Sequence, residues 1–217
     1  MFSRAFLLSG AIALDLTNNT ALVLIDIQKG ELMPAADVGI PVMPGGEERH
    51  RRARLLLAGA RAAGIPAVFI QEVHKRTLVD FGRELDGVEG VHCLEGDEAT
   101  ELTDGLEPTA DEYLIRKRRY SAFFATELDL VLRSYGVDTL ILAGTLTDVC
   151  VHYTFVDAHQ HDYRCKVVTD CVGGSTREAH DAALAAMAYL QRDCLVRTDE
   201  LLEAFRAAAL PVAGVAG

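Results

Sequence analysis

The stretch TLILAGTLTDVCVHYTF, residues 139–155, predicts a buried β-strand that leads directly into an α-helix. The strand is indicated by the β-branched and aliphatic run 139–143, which ends at Gly144 and a short polar turn. A helical pattern starts at about Asp148 and places Cys150 in the first helical turn. Unpaired N–H groups and the helix dipole stabilise a thiolate or an oxyanion at such a position. We therefore expect an elbow that presents a cysteine nucleophile, although the position alone suits a structural thiol nearly as well.

Strands and helices alternate on both sides of this elbow. Apolar runs predict strands at residues 20–28, 67–73, 113–116, 165–169 and 194–197, and helical patterns with end signals separate most of them. Such alternation is typical of an α/β protein with a parallel sheet and helices on both faces. Residues 29–46 read as a long loop that covers the site, and residues 75–110, polar and without clear periodicity, as an insertion loop.

Length and composition bound the class of protein. The chain has 217 residues and no linker-like segment, so we expect an N-terminal extension (1–19), a single domain (20–210) and a C-terminal tail (211–217). The net charge of −11 argues against nucleic-acid binding, and no apolar stretch is long enough to span a membrane.

The number and spacing of the cysteines indicate whether the protein works in a reducing or an oxidising compartment. There are five, with no C-x-x-C pair, which favours free thiols in a reducing cytoplasm. The alternative is that residues 1–14 are a secretory signal, because an apolar stretch there ends in an A-x-A pattern.

Polar residues at the ends of other strands are candidates for the same site. Asp26 closes the first strand, and the carboxyl ends of parallel strands form the ligand-binding edge of such sheets; it could equally only cap or turn the chain. Lys117 lies in the basic run 116–119, which is either a solvated turn or a source of one lysine for the pocket. Glu72 and His74 end the second strand. A structural or substrate-contacting role is favoured for both over metal binding, because no third ligand is evident nearby.

These features together resemble the isochorismatase-like cysteine hydrolases. The matching segments are ALVLIDIQ around Asp26, RKRRYSAFFATELDLVL around Lys117, LAGTLTDVCVHYTFVDA around Cys150, and VVTDCVGGS. The resemblance covers roughly residues 20 to 205 and implies a Rossmann-like three-layer sandwich with a central parallel sheet of about six strands. It also implies an Asp26-Lys117-Cys150 catalytic triad and a homodimer or homotetramer.

The resemblance further implies a cis peptide bond between Thr145 and Leu146. Its expected role is to let the backbone N–H groups of Leu146 and Cys150 form an oxyanion hole. In the implied reaction Asp26 takes the thiol proton, Cys150 attacks a carbonyl carbon, and water then hydrolyses the thioester.

Departures from the family pattern narrow the expected substrate. Isochorismatases proper lack the nucleophilic cysteine. Nicotinamidases carry an Asp-x-His and a further histidine for a metal, whereas this sequence reads FIQEVHKR at that place. The segment is more similar to the branch of biuret hydrolases and N-carbamoylsarcosine amidases, so we expect a metal-free and cofactor-free amidohydrolase for a small linear amide or ureide. The alternatives are a nicotinamidase-like amidase, a redox-sensing or binding protein that uses Cys150, and a catalytically silent interaction protein. The expected substrate contacts are Glu72, His74, Phe123, Thr147 and Gln191.

Overall fold

A six-stranded parallel sheet forms the centre of the computed structural model, which describes residues 19–209. The predicted extension before residue 19 and the predicted tail at 211–217 lie outside the described residues, so those boundaries stay predictions. The strands are β1 (Thr20–Ile25), β2 (Ala67–Glu72), β3 (Tyr113–Lys117), β4 (Thr139–Thr145), β5 (Arg164–Gly173) and β6 (Leu195–Val196). The helices are α1 (Ala35–Val38), α2 (Gly46–Ala62), α3 (Leu128–Ser134), α4 (His152–Gln160), α5 (Arg177–Leu190) and α6 (Thr198–Ala209).

The strand order is β3-β2-β1-β4-β5-β6, and every pairing is parallel. This is the order of a Rossmann-like sheet, so the predicted α/β fold is confirmed. The order changes direction between β1 and β4, and a crevice opens there beyond the carboxyl ends of the strands.

Two cores hold helices against opposite faces of the sheet. Because successive side chains of a strand point to opposite faces, Val23 and Ile25 of β1 join the core beneath α3, α4 and α5, whereas Leu22 and Leu24 join the core beneath α2 and α6. The central strands are buried on both sides, as their continuous apolar sequences predicted.

Gly144 allows β4 to approach β1 closely at the edge that carries the site. Its φ is +130°, and a Cβ placed there would lie 1.8 Å from the carbonyl oxygen of Ile25. No other residue fits this position without displacing β1. The hydroxyl of Thr145 then donates a hydrogen bond of 3.1 Å to the carbonyl oxygen of Asp26, which joins the ends of the two strands.

Two long connections cover this edge. The β1–α2 connection, residues 26–45, contains one 3-10 turn and the short α1. The β2–β3 connection, residues 73–112, contains two 3-10 turns and little other regular structure, as its lack of periodicity predicted. Within residues 19–209, none of the helices has both the length and the apolar character needed to cross a membrane.

Candidate active site

The three side chains predicted as a triad come together at the carboxyl edge of the sheet. Lys117, the last residue of β3, places its Nζ 2.8 Å from Oδ2 of Asp26 and 3.3 Å from Sγ of Cys150. Asp26 follows β1, and Cys150 follows β4. All three residues are buried, so their charges interact in a poorly solvated place.

The backbone of the elbow differs in one respect from the predicted helix start. The peptide bond between Thr145 and Leu146 is cis, as predicted. The next turn, Thr147–Val151, is a π-helix, in which the N–H of Val151 donates to the carbonyl oxygen of Leu146, and α4 begins only at His152. Cys150 therefore lies in a wide turn ahead of the α-helix, and such turns are frequent at functional sites.

Glu72 is more central to the site than the sequence predicted. Its carboxylate contacts Nζ of Lys117, and its Oε2 accepts a weak hydrogen bond of 3.5 Å from the thiol of Cys150. Its backbone N–H donates to Oδ1 of Asp26 at 2.7 Å. The site is therefore a buried group of two carboxylates, one ammonium and one thiol.

The electrostatics of this group favour a protonated thiol beside a base that titrates near neutrality. Burial raises the pKa of Asp26 to about 6, against the lowering effect of Lys117. Burial also raises the pKa of Cys150 well above that of a free thiol. Although burial lowers it, attraction to Asp26, Cys150 and Glu72 holds the pKa of Lys117 well above its usual value. Lys117 thus stays cationic and is placed to stabilise a thiolate once the proton has left.

A second cluster adjoins the first through Glu72. One ligand atom from each of Glu72, His74, Glu84 and His92 lies within 4.8 Å of the others, and all four residues are buried. The expectation that no third ligand lies near Glu72 and His74 is therefore wrong, because the β2–β3 connection supplies two more. The sequence analysis missed Glu84 and His92 because this connection has no periodic pattern that would place its side chains.

The donor set of this cluster fits a divalent metal such as zinc. Nδ1 of His92 donates to the carbonyl oxygen of Gly90 at 2.7 Å, which directs Nε2 toward Glu72. Neither carboxylate oxygen of Glu84 accepts a well-aligned hydrogen bond from the described residues, although Nε2 of His74 lies 3.2 Å from Oε2. An oriented imidazole and an open carboxylate are typical of metal ligands.

Without a metal, the same residues form a buried ion-pair network. Nε2 of His74 lies 3.3 Å from Glu72 and 3.2 Å from Glu84. Although burial lowers it, these two carboxylates raise the pKa of His74 to about 9. Burial would raise the pKa of Glu72, but Lys117, His74 and His92 hold it well below its usual value. The histidines then carry the positive charge that a metal would otherwise supply.

A cleft opens above Cys150, and its empty space amounts to about 640 Å³ when the open solvent at its mouth is included. Glu72 is the one predicted substrate contact that lines it, beside Asp26 and Cys150 of the predicted triad. Most of the other lining residues come from the two connections: Gln28, Gly30, Glu31, Val38, Ile40, Val42, Glu89, His92, Cys93 and Ala99; Tyr120, Thr145, Leu146 and Val149 complete it. The prediction that residues 29–46 cover the site is confirmed.

The other four predicted contacts lie outside this lining, each held by a different partner. His74 stacks on the ring of Phe81 behind Glu72, with 3.9 Å between ring centroids. Phe123 stacks on the ring of His161.

Thr147 and Gln191 are held by hydrogen bonds. The hydroxyl of Thr147 lies 2.9 Å from Nδ1 of His180. The amide of Gln191 bonds both the N–H and the carbonyl oxygen of Cys165, near the start of β5 and so at the opposite edge of the sheet. A position just before the last strand was therefore not enough to place Gln191 in the cleft.

Comparison with known proteins agrees with this geometry. Residues 20–199 match the Isochorismatase domain family. Maleamate amidohydrolase of Pseudomonas putida is 32% identical over 188 residues, which cover 83% of this chain and 84% of that protein. Ureidoacrylate amidohydrolase RutB of Methylobacterium radiotolerans is 32% identical over 194 residues, covering 80% and 74%.

Among solved structures, N-carbamoylsarcosine amidase of Thermoplasma acidophilum superposes with a TM-score of 0.67 at 26% identity, covering 83% of this chain and 97% of that one. The chain belongs to the isochorismatase family, which confirms the predicted resemblance.

Proposed function

We propose that this protein is a cysteine-dependent amidohydrolase that cleaves a C–N bond of a small linear amide or ureide. The observation that carries the proposal is the position of Lys117, whose Nζ contacts both the base Asp26 and the thiol of Cys150. The named activities of the relatives support the reaction class, since all three are amidases or amidohydrolases.

The reaction begins with proton transfer from the thiol of Cys150 to Asp26. One atom each of Asp26, Glu72 and Cys150 lie within 4.8 Å of one another, so a small rearrangement suffices for this transfer. Lys117 stabilises the resulting thiolate, which attacks the carbonyl carbon. The N–H groups of Leu146 and Cys150 are the proposed donors to the oxyanion.

Collapse of the tetrahedral intermediate completes the first half of the reaction. Asp26 returns its proton to the departing nitrogen, and an acyl or carbamoyl thioester remains on Cys150. Asp26 then activates a water molecule that hydrolyses the thioester. A base with a pKa of about 6 suits both steps, because it is mostly ionised at neutral pH yet still accepts a proton.

A second candidate is a metal-assisted amidase of the nicotinamidase kind. It is favoured by the cluster of Glu72, His74, Glu84 and His92, which supplies the ligands that the sequence was expected to lack. A metal held there would act as a Lewis acid toward a substrate carbonyl or ring nitrogen. Cys150, Asp26 and Lys117 keep the same roles in this alternative.

One panel of assays separates these candidates. Ammonia release is measured for biuret, N-carbamoyl amino acids, linear amides and nicotinamide, with and without a chelator. The main proposal predicts hydrolysis of a linear amide or ureide that survives chelation and falls at least about 10⁴-fold in Cys150→Ala. Cys194→Ala, which removes a buried thiol away from the cleft, is the matched control and retains activity. Hydrolysis restricted to nicotinamide, and lost on chelation, would instead favour the second candidate. The predicted homodimer or homotetramer stays a prediction.

A further inference from the structure

The cleft is acidic along its lining. Four of the lining residues are carboxylic acids, namely Asp26, Glu31, Glu72 and Glu89. Among the described residues that line it, there is no lysine or arginine. A substrate therefore meets carboxylates and short apolar side chains once it passes the mouth of the cleft.

Three of these acids already have cationic partners within the protein. Asp26 and Glu72 share Lys117. Glu31 is held by Arg49 at 2.7 Å and by His50 at 2.6 Å. Lys117 and Arg49 offset part of this charge before any ligand arrives, so each of these three acids attracts a ligand cation less than an unpaired carboxylate would.

Glu89 is the exception. Within residues 19–209 its carboxylate has no hydrogen bond and no ion pair, although the side chain is only partly exposed. Burial raises the pKa of Glu89, and attraction to His92 on the same segment opposes that rise. His92 makes no hydrogen bond or ion pair with Glu89, because its Nδ1 donates to the carbonyl oxygen of Gly90 and its Nε2 faces Glu72. The carboxylate of Glu89 is thus available to a ligand.

The backbone around Glu89 is fixed against the covering loop. The N–H of Gly90 donates a hydrogen bond of 2.8 Å to the carbonyl oxygen of Gly39. Gly39 has a φ of +75°, and a Cβ there would lie 2.7 Å from the carbonyl oxygen of Val91. Val38 and Ile40, on either side of Gly39, line the cleft beside Glu89. The carboxylate is therefore presented from a tied segment, next to an apolar wall.

We infer that Glu89 is a specificity-determining residue that selects amides or ureides whose far end carries an ammonium or another N–H donor, and that rejects substrates with a carboxylate there. This inference rests on the proposed function. A distal carboxylate would lose its hydration, find no free cation in the described lining, and face Glu89. A distal ammonium would form a charge-assisted hydrogen bond with Glu89 while its short carbon chain packs on the apolar wall. The substrate class is thus distinct from the acids maleamate and ureidoacrylate for which two of the relatives are named.

Three ureides of similar size test this selectivity: 2-aminoethylurea (cationic), propylurea (neutral) and N-carbamoylglycine (anionic). Their kcat/KM values are measured in the presence of a chelator, so that a metal cannot bind the carboxylate. The expected order is cation, neutral, anion, with at least about tenfold between the first and the last. In Glu89→Gln the ratio of the cation's kcat/KM to that of the neutral ureide falls about tenfold, and in Glu89→Arg the preference shifts toward the anion. Glu203→Gln, which removes an exposed carboxylate on α6, keeps the wild-type order.

Calorimetric binding of the same ureides to the Cys150→Ala protein separates failure of this inference from failure of the proposed reaction. If no ureide is hydrolysed but the cation binds at least about tenfold more tightly than the anion, the proposed function is wrong and the selectivity stands. Hydrolysis with the anion equal or preferred, or an unchanged ratio in Glu89→Gln, overturns the selectivity and leaves the proposed function intact. Failure of the cation to bind the Cys150→Ala protein also overturns it.

Discussion

The carboxyl edge of the sheet and the β2–β3 connection build the same cleft in different ways. The sheet edge supplies Asp26, Lys117 and Cys150, each positioned by the carboxyl end of a strand. The connection supplies Glu84 and His92, which are held by contacts among themselves and with the sheet edge. The two regions meet at Glu72. In the proposed account the sheet edge supplies the chemistry, whereas the connection sets the selectivity and would hold any metal. This division predicts that substitutions in the first region remove turnover and that substitutions in the second change preference or stability.

Asp26→Asn should have the largest effect among substitutions outside Cys150. It keeps the shape of the side chain but removes the base, so kcat should fall by about 10³-fold with a smaller change in KM. Steady-state ammonia release measures this, and circular dichroism checks the fold. Asp181→Asn, at an exposed position on α5, is the control and retains activity. A loss of less than tenfold in Asp26→Asn would contradict the role of the sheet edge.

The pH dependence of kcat/KM is the next largest expected effect. Burial raises the pKa of Asp26 to about 6, and only the ionised form accepts the thiol proton. With an uncharged substrate, kcat/KM should therefore rise about tenfold per pH unit below pH 6 and level off above it. A profile that stays flat from pH 5 to 8, for protein that remains folded, would rule out Asp26 as the base.

The sheet edge was predictable because strand order and strand ends determine it. Continuous apolar runs marked β1 and β4, and the motifs around Asp26, Lys117 and Cys150 placed one functional group at each strand end. The cis bond at Thr145, which the family resemblance implied, is also present.

The connection was not predictable for a physical reason. Its path is set by individual contacts, such as the one between Gly90 and Gly39, which leave no periodic pattern in the sequence. His92 therefore reaches Glu72 across 20 residues without any local signal. The prediction for Gln191 was wrong for a different reason. Its position in the sequence, just before a strand, did not show that its side chain lies at the amino edge of the sheet, away from the cleft.

Stability should depend on pH through His74, in the second region. Its pKa is raised from 6.5 to about 9 in the folded protein, so the stabilisation is fully present below pH 6.5 and is lost as the pH rises through about 9. With a chelator present, we expect the free energy of unfolding of the wild type to fall by about 1–2 kcal/mol more than that of His74→Asn between pH 6 and 9.5. Urea denaturation measures the difference, with the exposed His159→Asn as control. If the free energy of unfolding falls by the same amount in wild type and His74→Asn between pH 6 and 9.5, the ion-pair network is contradicted.

The smallest expected effect concerns Gln191. Removal of its amide in Gln191→Ala leaves the N–H and carbonyl group of Cys165 without partners and should cost about 1–2 kcal/mol of stability. Because Gln191 lies away from the cleft, kcat and KM should stay within about twofold of wild type. A tenfold rise in KM at unchanged stability would contradict this and would support the substrate contact predicted from the sequence.

The most direct test of the central claim is rapid acid quenching of the enzyme during turnover of a slow amide or ureide, followed by intact-protein and peptide mass spectrometry. The account predicts an added acyl or carbamoyl mass on the peptide that contains Cys150, absent from the Cys150→Ala protein and increased in amount when thioester hydrolysis is slowed. Continued hydrolysis by Cys150→Ala at a rate close to that of the wild type, with no adduct on the wild-type Cys150 peptide, would contradict it.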